Sequence, residues 1–343
     1  MRFLVTGPMR YGYADCVLRT LHATGHQATF FPMREFYTTI PYWKRKLYKL
    51  GCEFLRTAHE KTWEKAFLTQ VECQRPDVVL VLNGTMLSVA LAKTLSQLGN
   101  SLVLWLWDGV VRFGEEQLRQ LLPYLSCVAV FERRDLRLLE DYGGRALYLP
   151  LGYDEALYSV EEGGMRDIDI AFIGMPSEER LEILDAVSHY AVSRNRTLFV
   201  GGRWYDDRFW KRLSFKKRHP VLYSFVENRL LTIEEAARIY RRSRICLNIG
   251  MKEHFSINPR TFELLASGAL QIMDARQEGN GRVRIGVDLL QYKDTEQLIE
   301  LIDYYLQNES ARQHIARQGQ QYNRKRNSMR VVLDVLLKEL VST

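Results

Sequence analysis

One segment near residue 260 carries residue types and spacings that suit the binding of an anion. Asn258 and Pro259 are preferred at the cap and the first position of a helix, and Gly268 is preferred where a helix ends. A helix N-terminus binds anions through its free N–H groups and its dipole. Arg260 opposes that dipole unless an anion lies between them, and Glu263 could accept two hydrogen bonds from a vicinal diol such as a ribose. The segment predicts a site for a phosphorylated, diol-bearing ligand; the alternative is a simple helix cap beside a solvated carboxylate.

A glycine pair follows one strand-like run in the second half of the chain. Gly201 and Gly202 come directly after the run at 198–200. Glycine at such a position either admits a nucleotide or simply turns the chain. No complete dinucleotide-binding fingerprint is present, which disfavours a dehydrogenase.

Small or polar residues also follow strand-like runs in the first half of the chain. Gly7 and Asn83 each end such a run, and Tyr13 opens the helix that follows the first one. Asp108 comes at the end of a third run, where a carboxylate could act as a general base. An ordinary turn is an equal alternative for Asp108, and Asn83 has the same ambiguity.

Apolar runs and helical patterns alternate along most of the chain, which predicts parallel sheets covered on both faces by helices. The predicted strands are 3–6, 28–31, 78–82, 102–107, 128–131 and 146–149, then 168–173, 198–200, 221–223, 245–249, 270–273 and 287–289. The predicted helices are 13–23, 43–73, 87–98 and 115–124, then 178–193, 233–242, 259–267 and 295–307, with two long helical patterns closing the chain. A strand-poor segment at 152–166 separates the two series. We therefore predict two Rossmann-like domains in tandem.

Composition narrows the classes of protein that remain. The chain has 343 residues, 46% of them hydrophobic, and its 48 Lys and Arg exceed its 41 Asp and Glu to give a net charge of +7. These values exclude a disordered chain and indicate anionic partners. The longest apolar runs are far shorter than the roughly 20 residues of a membrane-spanning helix. Five scattered cysteines with no CxxC pair predict neither a disulfide framework nor a zinc site, so we expect a cytoplasmic protein.

The run Asn-Pro-Arg-Thr-Phe-Glu-Leu-Leu-Ala-Ser-Gly-Ala at 258–269 resembles the signature of CgeB-type (spore-maturation-protein-like) glycosyltransferases of the GT-B superfamily. Other segments are similar to that family in the same order along nearly the whole chain: 78–84, 102–108, 149–154, 169–174 and 244–249.

The resemblance implies an α/β GT-B fold with two Rossmann-like, doubly wound domains facing across a cleft. Residues 1–150 would bind the acceptor, with Gly7, Tyr13 and Asn83 on the acceptor side. Residues 151–322 would bind the nucleotide sugar, and 323–343 would form a C-terminal helix that packs back on the first domain. The implied enzyme is a hexosyltransferase-type glycosyltransferase that uses a nucleoside diphosphate sugar, a UDP-sugar by preference. Its acceptor, whether protein, glycan or small molecule, is not specified by the sequence.

Donor-site roles follow from the resemblance position by position. Glu263 matches the glutamate that binds the nucleoside ribose, and Arg260 matches the basic group near the diphosphate. Gly174 and Arg180 match the first phosphate-side loop, and Gly202 and Asn258 are the other residues we predict to bind the donor. We expect no metal and no cofactor beyond the donor substrate, because fixed guanidinium groups and helix N–H donors can stabilise the diphosphate without a metal.

The sequence departs from the family at one position of the site. Retaining relatives carry a second glutamate eight positions before the ribose-binding one, and Phe255 stands there in this chain. His254 is then the predicted contact to the transferred sugar, with a structural histidine as the alternative. The departure keeps open a non-catalytic protein that binds nucleotide sugars or nucleic acid. A nucleotide-sugar epimerase on the same fold is a further alternative, but it would need acidic groups around the sugar, and Phe255 in place of an acid argues against it.

Positive charge concentrates between residues 203 and 218, beside Trp204, Trp210 and Phe215. Such a cluster suits nucleic acid or an anionic membrane surface. We favour a solvated face near a phosphate-binding cleft, with peripheral contact to an anionic surface as the alternative, and we do not expect nucleic acid as a partner.

Overall fold

Two parallel β-sheets organise the chain in the computed structural model, which describes residues 1–8, 12–33, 39–84, 86–159, 164–250, 257–276, 279 and 281–341. Unit 1 comprises Met1–Leu151 with the helix that begins at Met329, and unit 2 comprises Gly152–Ser328. Each unit has one six-stranded parallel sheet. The predicted pair of doubly wound α/β sheets is confirmed.

Unit 1 alternates strands and helices, with a short 3₁₀ turn at Leu122–Tyr124. Its strands are β1 (Arg2–Gly7), β2 (Gln27–Pro32), β3 (Val78–Leu82), β4 (Ser101–Trp105), β5 (Cys127–Val130) and β6 (Ala146–Tyr148). The order of the strands across the sheet of unit 1 is β2-β1-β3-β4-β5-β6. Its helices are α1 (Tyr13–Ala23), α2 (Tyr42–Lys49), α3 (Phe54–Gln74), α4 (Val89–Gln97), α5 (Val110–Phe113), α6 (Glu115–Leu121), α7 (Asp135–Asp141) and, at the end of the chain, α16 (Met329–Val341).

Unit 2 repeats the pattern. Its strands are β7 (Ile168–Ile173), β8 (Leu198–Gly201), β9 (Val226–Glu227), β10 (Ser243–Asn248), β11 (Leu270–Asp274) and β12 (Leu290–Tyr292). The order of the strands across the sheet of unit 2 is β12-β11-β10-β7-β8-β9. Its helices are α8 (Glu155–Tyr158), α9 (Glu178–Ser193), α10 (Phe209–Arg218), α11 (Pro220–Tyr223), α12 (Ile233–Arg242), α13 (Pro259–Ala266), α14 (Thr295–Gln307) and α15 (Glu309–Arg326).

The central strands are largely apolar because helices cover both faces of each sheet. All five residues of β3 are buried. Trp105 at the end of β4 is fully buried, and its indole N–H donates to the carbonyl of Leu149 at 2.8 Å. The last helix, α16, belongs to unit 1 because Val332, Leu333 and other apolar residues of α16 pack in the core beside α1.

Two predicted strands are wrong. Residues 221–223 lie in α11, because Pro220 at the first helical position favours a helix and Leu222 turns into the core; the edge strand of that sheet is β9. Residues 287 and 288 form a turn, Leu289 forms an isolated bridge with Ile285, and the strand begins at Leu290 as β12.

The predicted helix at 43–73 is also wrong, since the chain forms two helices there. The helical pattern breaks at Gly51, whose φ of +98° lies in the left-handed region that a helix interior does not admit.

Within the described ranges, no helix has both the length and the hydropathy of a membrane-spanning segment.

Candidate functional site

The strongest candidate site lies in unit 2, where the strand order of the sheet reverses. β7 and β10 are neighbours in the sheet. The strand that follows β7 in the chain, β8, lies on one side of this pair, and the strand that follows β10, β11, lies on the other side. In open α/β sheets, ligands bind outside the carboxyl ends of the strands at such a switch point. Gly174 follows β7 directly, and Ile249 follows β10. Helix α13 is the next described element after that edge.

The N-terminus of α13 is fixed by a chain of side-chain hydrogen bonds. Asn258 caps the helix, because its Oδ1 accepts from the Thr261 backbone N–H at 3.2 Å. The Asn258 Nδ2 donates to Asn248 Oδ1 at 3.2 Å, and Asn248 Nδ2 donates to Thr261 Oγ1 at 3.0 Å. Asn248 and Thr261 are fully buried. The positive end of the helix is therefore held beside the end of β10, in the place where an anion would be stabilised.

Two guanidinium groups lie against one aromatic ring at this edge. Phe172, in β7, has the Arg180 guanidinium 5.5 Å and the Arg260 guanidinium 6.0 Å from its ring centroid. Burial and the nearby charge of Arg260 lower the pKa of Arg180 to about 10. Two positive charges held this close favour a negatively charged ligand that would offset their repulsion.

The guanidinium of Arg180 donates hydrogen bonds to backbone carbonyls. The residue is 6% exposed, its Nε and Nη2 donate to the Ile249 carbonyl at 3.2 and 2.7 Å, and its Nη1 donates to the Met175 carbonyl at 2.9 Å. These contacts tie the loop after β7 to the loop after β10. The structure thus places the predicted donor-binding Arg180 as a residue that positions the two loops.

We expect Arg180→Met to destabilise the protein by about 1–3 kcal/mol, because the buried hydrogen bond to the Ile249 carbonyl and the partly buried one to the Met175 carbonyl would be lost. The measurement is urea unfolding beside the matched variant Arg194→Met, which changes an exposed arginine paired with Asp303. Equal stability of the two variants would contradict the role given to Arg180.

The two predicted donor-site glycines are in close contact with each other. A Cβ on Gly202, whose φ is +134°, would lie 2.1 Å from the Gly174 carbonyl oxygen. A Cβ on Gly174 would lie 2.9 Å from the ring of Phe172. Both positions therefore require glycine for the packing of the loops after β7 and β8, and contact with a donor stays a prediction for both.

Glu263 and Arg260 lie near a buried tyrosine that the sequence did not single out. Tyr240, on α12, is 3% exposed and stacks on Tyr158 at a ring distance of 6.4 Å. Burial raises the pKa of Tyr240, the charge of Arg260 opposes the rise, and the charge of Glu263 adds to it. Glu263 itself is partly exposed, one turn into α13. Tyr240 gave no signal in the sequence because a tyrosine on the apolar face of a helix is ordinary.

A second group that the sequence did not reveal lies beyond β11. Arg276 pairs with Asp274 at the end of that strand and with Glu179 in α9 at 2.9 Å. Tyr292 is buried nearby, and within the described part of the chain its hydroxyl has no hydrogen-bond partner. Burial raises the pKa of Tyr292, as do the charges of Asp274 and Glu179.

In unit 1, two predicted residues lie at the switch point between β1 and β3. Gly7 is packed against β3, where an added Cβ would meet the Leu82 Cβ at 2.6 Å. Asn83 turns the chain with a φ of 62°, and its N–H donates to the Trp105 carbonyl at 2.8 Å. Both have a packing or turn role, and an acceptor role stays a prediction.

The other two predicted unit 1 residues also have local partners. The Asp108 carboxylate accepts from Arg112 at 3.3 Å and is about one third exposed. The ring of Tyr13 meets Trp107 edge to face at 5.5 Å. The carboxylate of Asp108 is accessible, which a general base requires.

Two buried carboxylates lie near Asp108 that were not among the residues predicted from the sequence. Glu132 and Asp135 are 2% and 5% exposed, and Asp135 accepts from the Val110 N–H at 2.9 Å. Burial raises the pKa of Asp135, and the charge of Glu132 adds to the rise. Their position after β5, at the same edge as Asp108, was the available signal.

His254, the predicted sugar contact, lies outside the described residues, as does Phe255. Within the described ranges, no three His, Cys, Asp or Glu side chains form a group that could hold a metal ion.

Comparison with known proteins gives the following matches. Residues 180–338 match a family model described as glycosyl transferase-like. No curated protein sequence gives a significant match. Among solved structures, sucrose-phosphate synthase from Thermosynechococcus elongatus is similar, with a TM-score of 0.70 at 13% identity over 100% of this chain and 99% of that one.

Two further structures show the same fold. Anabaena HepE, solved in complex with UDP-glucose, has a TM-score of 0.67 at 14% identity and covers both chains fully. A glycosyltransferase from Rickettsia africae has a TM-score of 0.67 at 12% identity over 98% of this chain and 97% of that one. The chain therefore has the GT-B fold, and its residues 180–338 match the glycosyl transferase-like family.

Proposed function

We propose that the protein is a glycosyltransferase that moves a sugar from a UDP-sugar bound in unit 2 to an acceptor bound by unit 1, without a metal ion. The observation that carries the proposal is the fixed N-terminus of α13, which bears Arg260 and Glu263, at the switch point of the second sheet. The family model over 180–338 and the likeness to HepE, solved with UDP and UDP-glucose, support it.

The chemistry of a departing nucleoside diphosphate fits this site. The diphosphate gains negative charge as the glycosidic bond breaks, and fixed guanidinium and N–H donors stabilise that charge. In the proposal Arg260 and the first turn of α13 bind the diphosphate, and Glu263 accepts hydrogen bonds from the ribose hydroxyls. Arg180 and the glycine pair Gly174–Gly202 hold the surrounding loops in place.

The finer assignments belong to the same proposal. The enzyme would be a CgeB-type hexosyltransferase, with Asp108 as the general base toward the acceptor and His254 as the contact to the transferred sugar. Gly7, Tyr13 and Asn83 would line the acceptor side.

The proposal is tested by UDP release from a panel of UDP-sugars, each measured with and without EDTA. We expect release from at least one UDP-sugar at an unchanged rate in EDTA. Arg260→Gln should raise the KM for that donor about tenfold or more, because a hydrogen bond from a charged group contributes about 1.5–3 kcal/mol.

The control variant for this assay is Arg317→Gln, which changes an exposed arginine on α15. The proposal would be contradicted if EDTA abolished UDP release, or if the two variants had equal KM values for the UDP-sugar. Isomerised UDP-sugar without free UDP would identify an epimerase, and tight donor binding without turnover in any acceptor mixture would identify a non-catalytic binder.

A further inference from the structure

Helix α10 turns apolar side chains toward solvent. Phe209, Trp210 and Leu213 are 57%, 75% and 48% exposed, and the rings of Phe209 and Trp210 meet edge to face at 5.0 Å. The residues of this exposed group lie one, three or four positions apart, which places them on one side of the helix. Phe215 is the buried residue that holds α10 to unit 2.

Helix α2 in unit 1 has the same arrangement. It has no buried residue, and Trp43, Leu47 and, just after it, Leu50 are 57%, 39% and 81% exposed. Their spacing of four and then three positions makes one apolar stripe. The partly buried side of the helix carries the polar Arg45 and Tyr48, and Tyr48 hydrogen-bonds with an arginine of α3. The amphipathic pattern is therefore inverted relative to a helix that packs on a core.

Both helices are strongly basic. Neither α2 nor α10 contains an acidic residue, and together they carry nine Lys and Arg, more than the net charge of +7 of the whole chain. The charges adjoin the exposed apolar side chains: Lys44 lies over the Trp43 ring at 5.3 Å, and Lys216 and Lys217 follow Leu213 by one turn. Aromatic and leucine side chains ringed by lysine and arginine are the composition of helices that lie in the interface of an anionic membrane.

We propose that α2 and α10 are two segments by which the protein binds the surface of an anionic lipid bilayer. In each helix the apolar side chains would enter the acyl boundary and the basic ones would meet the lipid phosphates. Aromatic and basic residues also suit single-stranded nucleic acid. The leucines favour lipid, because Leu47, Leu50 and Leu213 gain from hydrocarbon and have no aromatic face to stack on a base. This proposal does not depend on the sugar-transfer activity.

The test is co-sedimentation of the full-length protein with vesicles of phosphatidylcholine alone or with one third phosphatidylglycerol. We expect partitioning at least tenfold higher onto the anionic vesicles, falling at high salt because the attraction is screened. Trp43→Ser/Leu47→Ser/Leu50→Ser and Phe209→Ser/Trp210→Ser/Leu213→Ser should each lower it at least fivefold. The control Leu98→Ser/Val192→Ser changes similarly exposed apolar residues outside these helices and should leave it unchanged.

A second set of variants removes charge and leaves the apolar residues in place. Lys216→Gln/Lys217→Gln/Arg218→Gln should lower partitioning onto anionic vesicles with an unchanged melting temperature. Equal partitioning onto both vesicle types, or wild-type partitioning of the serine variants, would overturn the proposal. Binding to an oligonucleotide without binding to vesicles would overturn it as well and would assign the two helices to nucleic acid.

Discussion

Replacement of Glu263 by glutamine is expected to lower kcat/KM for the UDP-sugar about 10- to 100-fold, mainly through KM. The glutamine keeps the shape of the side chain but loses the negative charge that two ribose hydroxyls would share, and such charged hydrogen bonds contribute about 1.5–3 kcal/mol. We expect this effect at Glu263 because of its position: the residue lies one turn into α13, is partly exposed, and is near Arg260 and the buried Tyr240. The measurement is steady-state UDP release.

The matched control is Glu300→Gln, which removes an exposed carboxylate from α14 of the same unit. It should change kcat/KM less than twofold. With a 2′-deoxyribose donor, kcat/KM of the wild-type enzyme should be low, and Glu263→Gln should lower it little further. The missing hydroxyl and the substitution remove the same interaction, so their effects should not add. If Glu263→Gln behaves like Glu300→Gln, the ribose role is wrong.

Replacement of Gly319 by alanine is expected to destabilise the protein by about 2 kcal/mol, although alanine favours a helix over glycine by about 1 kcal/mol. Gly319 is in α15, where an added Cβ would lie 2.2 Å from the Asp288 carbonyl and 2.8 Å from Leu265 Cδ2. The loop that contains Asp288 is held in place, because the buried Asp288 carboxylate accepts hydrogen bonds from the backbone N–H and the guanidinium of Arg284. The backbone there cannot easily move away from an added methyl group. The overlap with backbone outweighs the gain in helix propensity.

The thermal midpoint of the Gly319→Ala variant should fall by about 4–8 °C, since 1 kcal/mol corresponds to about 2–4 °C for a unit of this size. Gly164→Ala is the control, because a Cβ there meets no atom within 4 Å and the φ of Gly164 is not positive. A Gly319→Ala protein as stable as the control would show that α15 does not pack against this loop as described.

Local sequence signals predicted the scaffold of the site well. Helix α13 runs from Pro259 to Ala266 with Asn258 as its hydrogen-bonded cap, as the Asn-Pro start and the Gly268 stop indicate. Such signals succeed because capping and proline preferences act within one turn of the chain. Helices α1, α12 and α14 likewise have the predicted bounds.

Tertiary contacts decided what the sequence could not show. Arg180 looked like a ligand for phosphate, but its guanidinium is enclosed and bound to the Ile249 and Met175 carbonyls, which come from two different loops. The burial of the Tyr292 hydroxyl also depends on strands and helices distant in sequence. No periodicity or spacing reports such neighbours, because they arise only when the sheets are assembled.

The central claim is that unit 2 binds a nucleoside diphosphate at the N-terminus of α13. Calorimetric titration of the wild-type protein with UDP, UMP and uridine tests it most directly, because the three ligands differ only in phosphate. The account predicts that UDP binds at least tenfold more tightly than UMP, that uridine binds more weakly still, and that Arg260→Gln removes most of the advantage of UDP. Equal affinities for UDP and uridine, or no binding of UDP or any other nucleoside diphosphate, would contradict it.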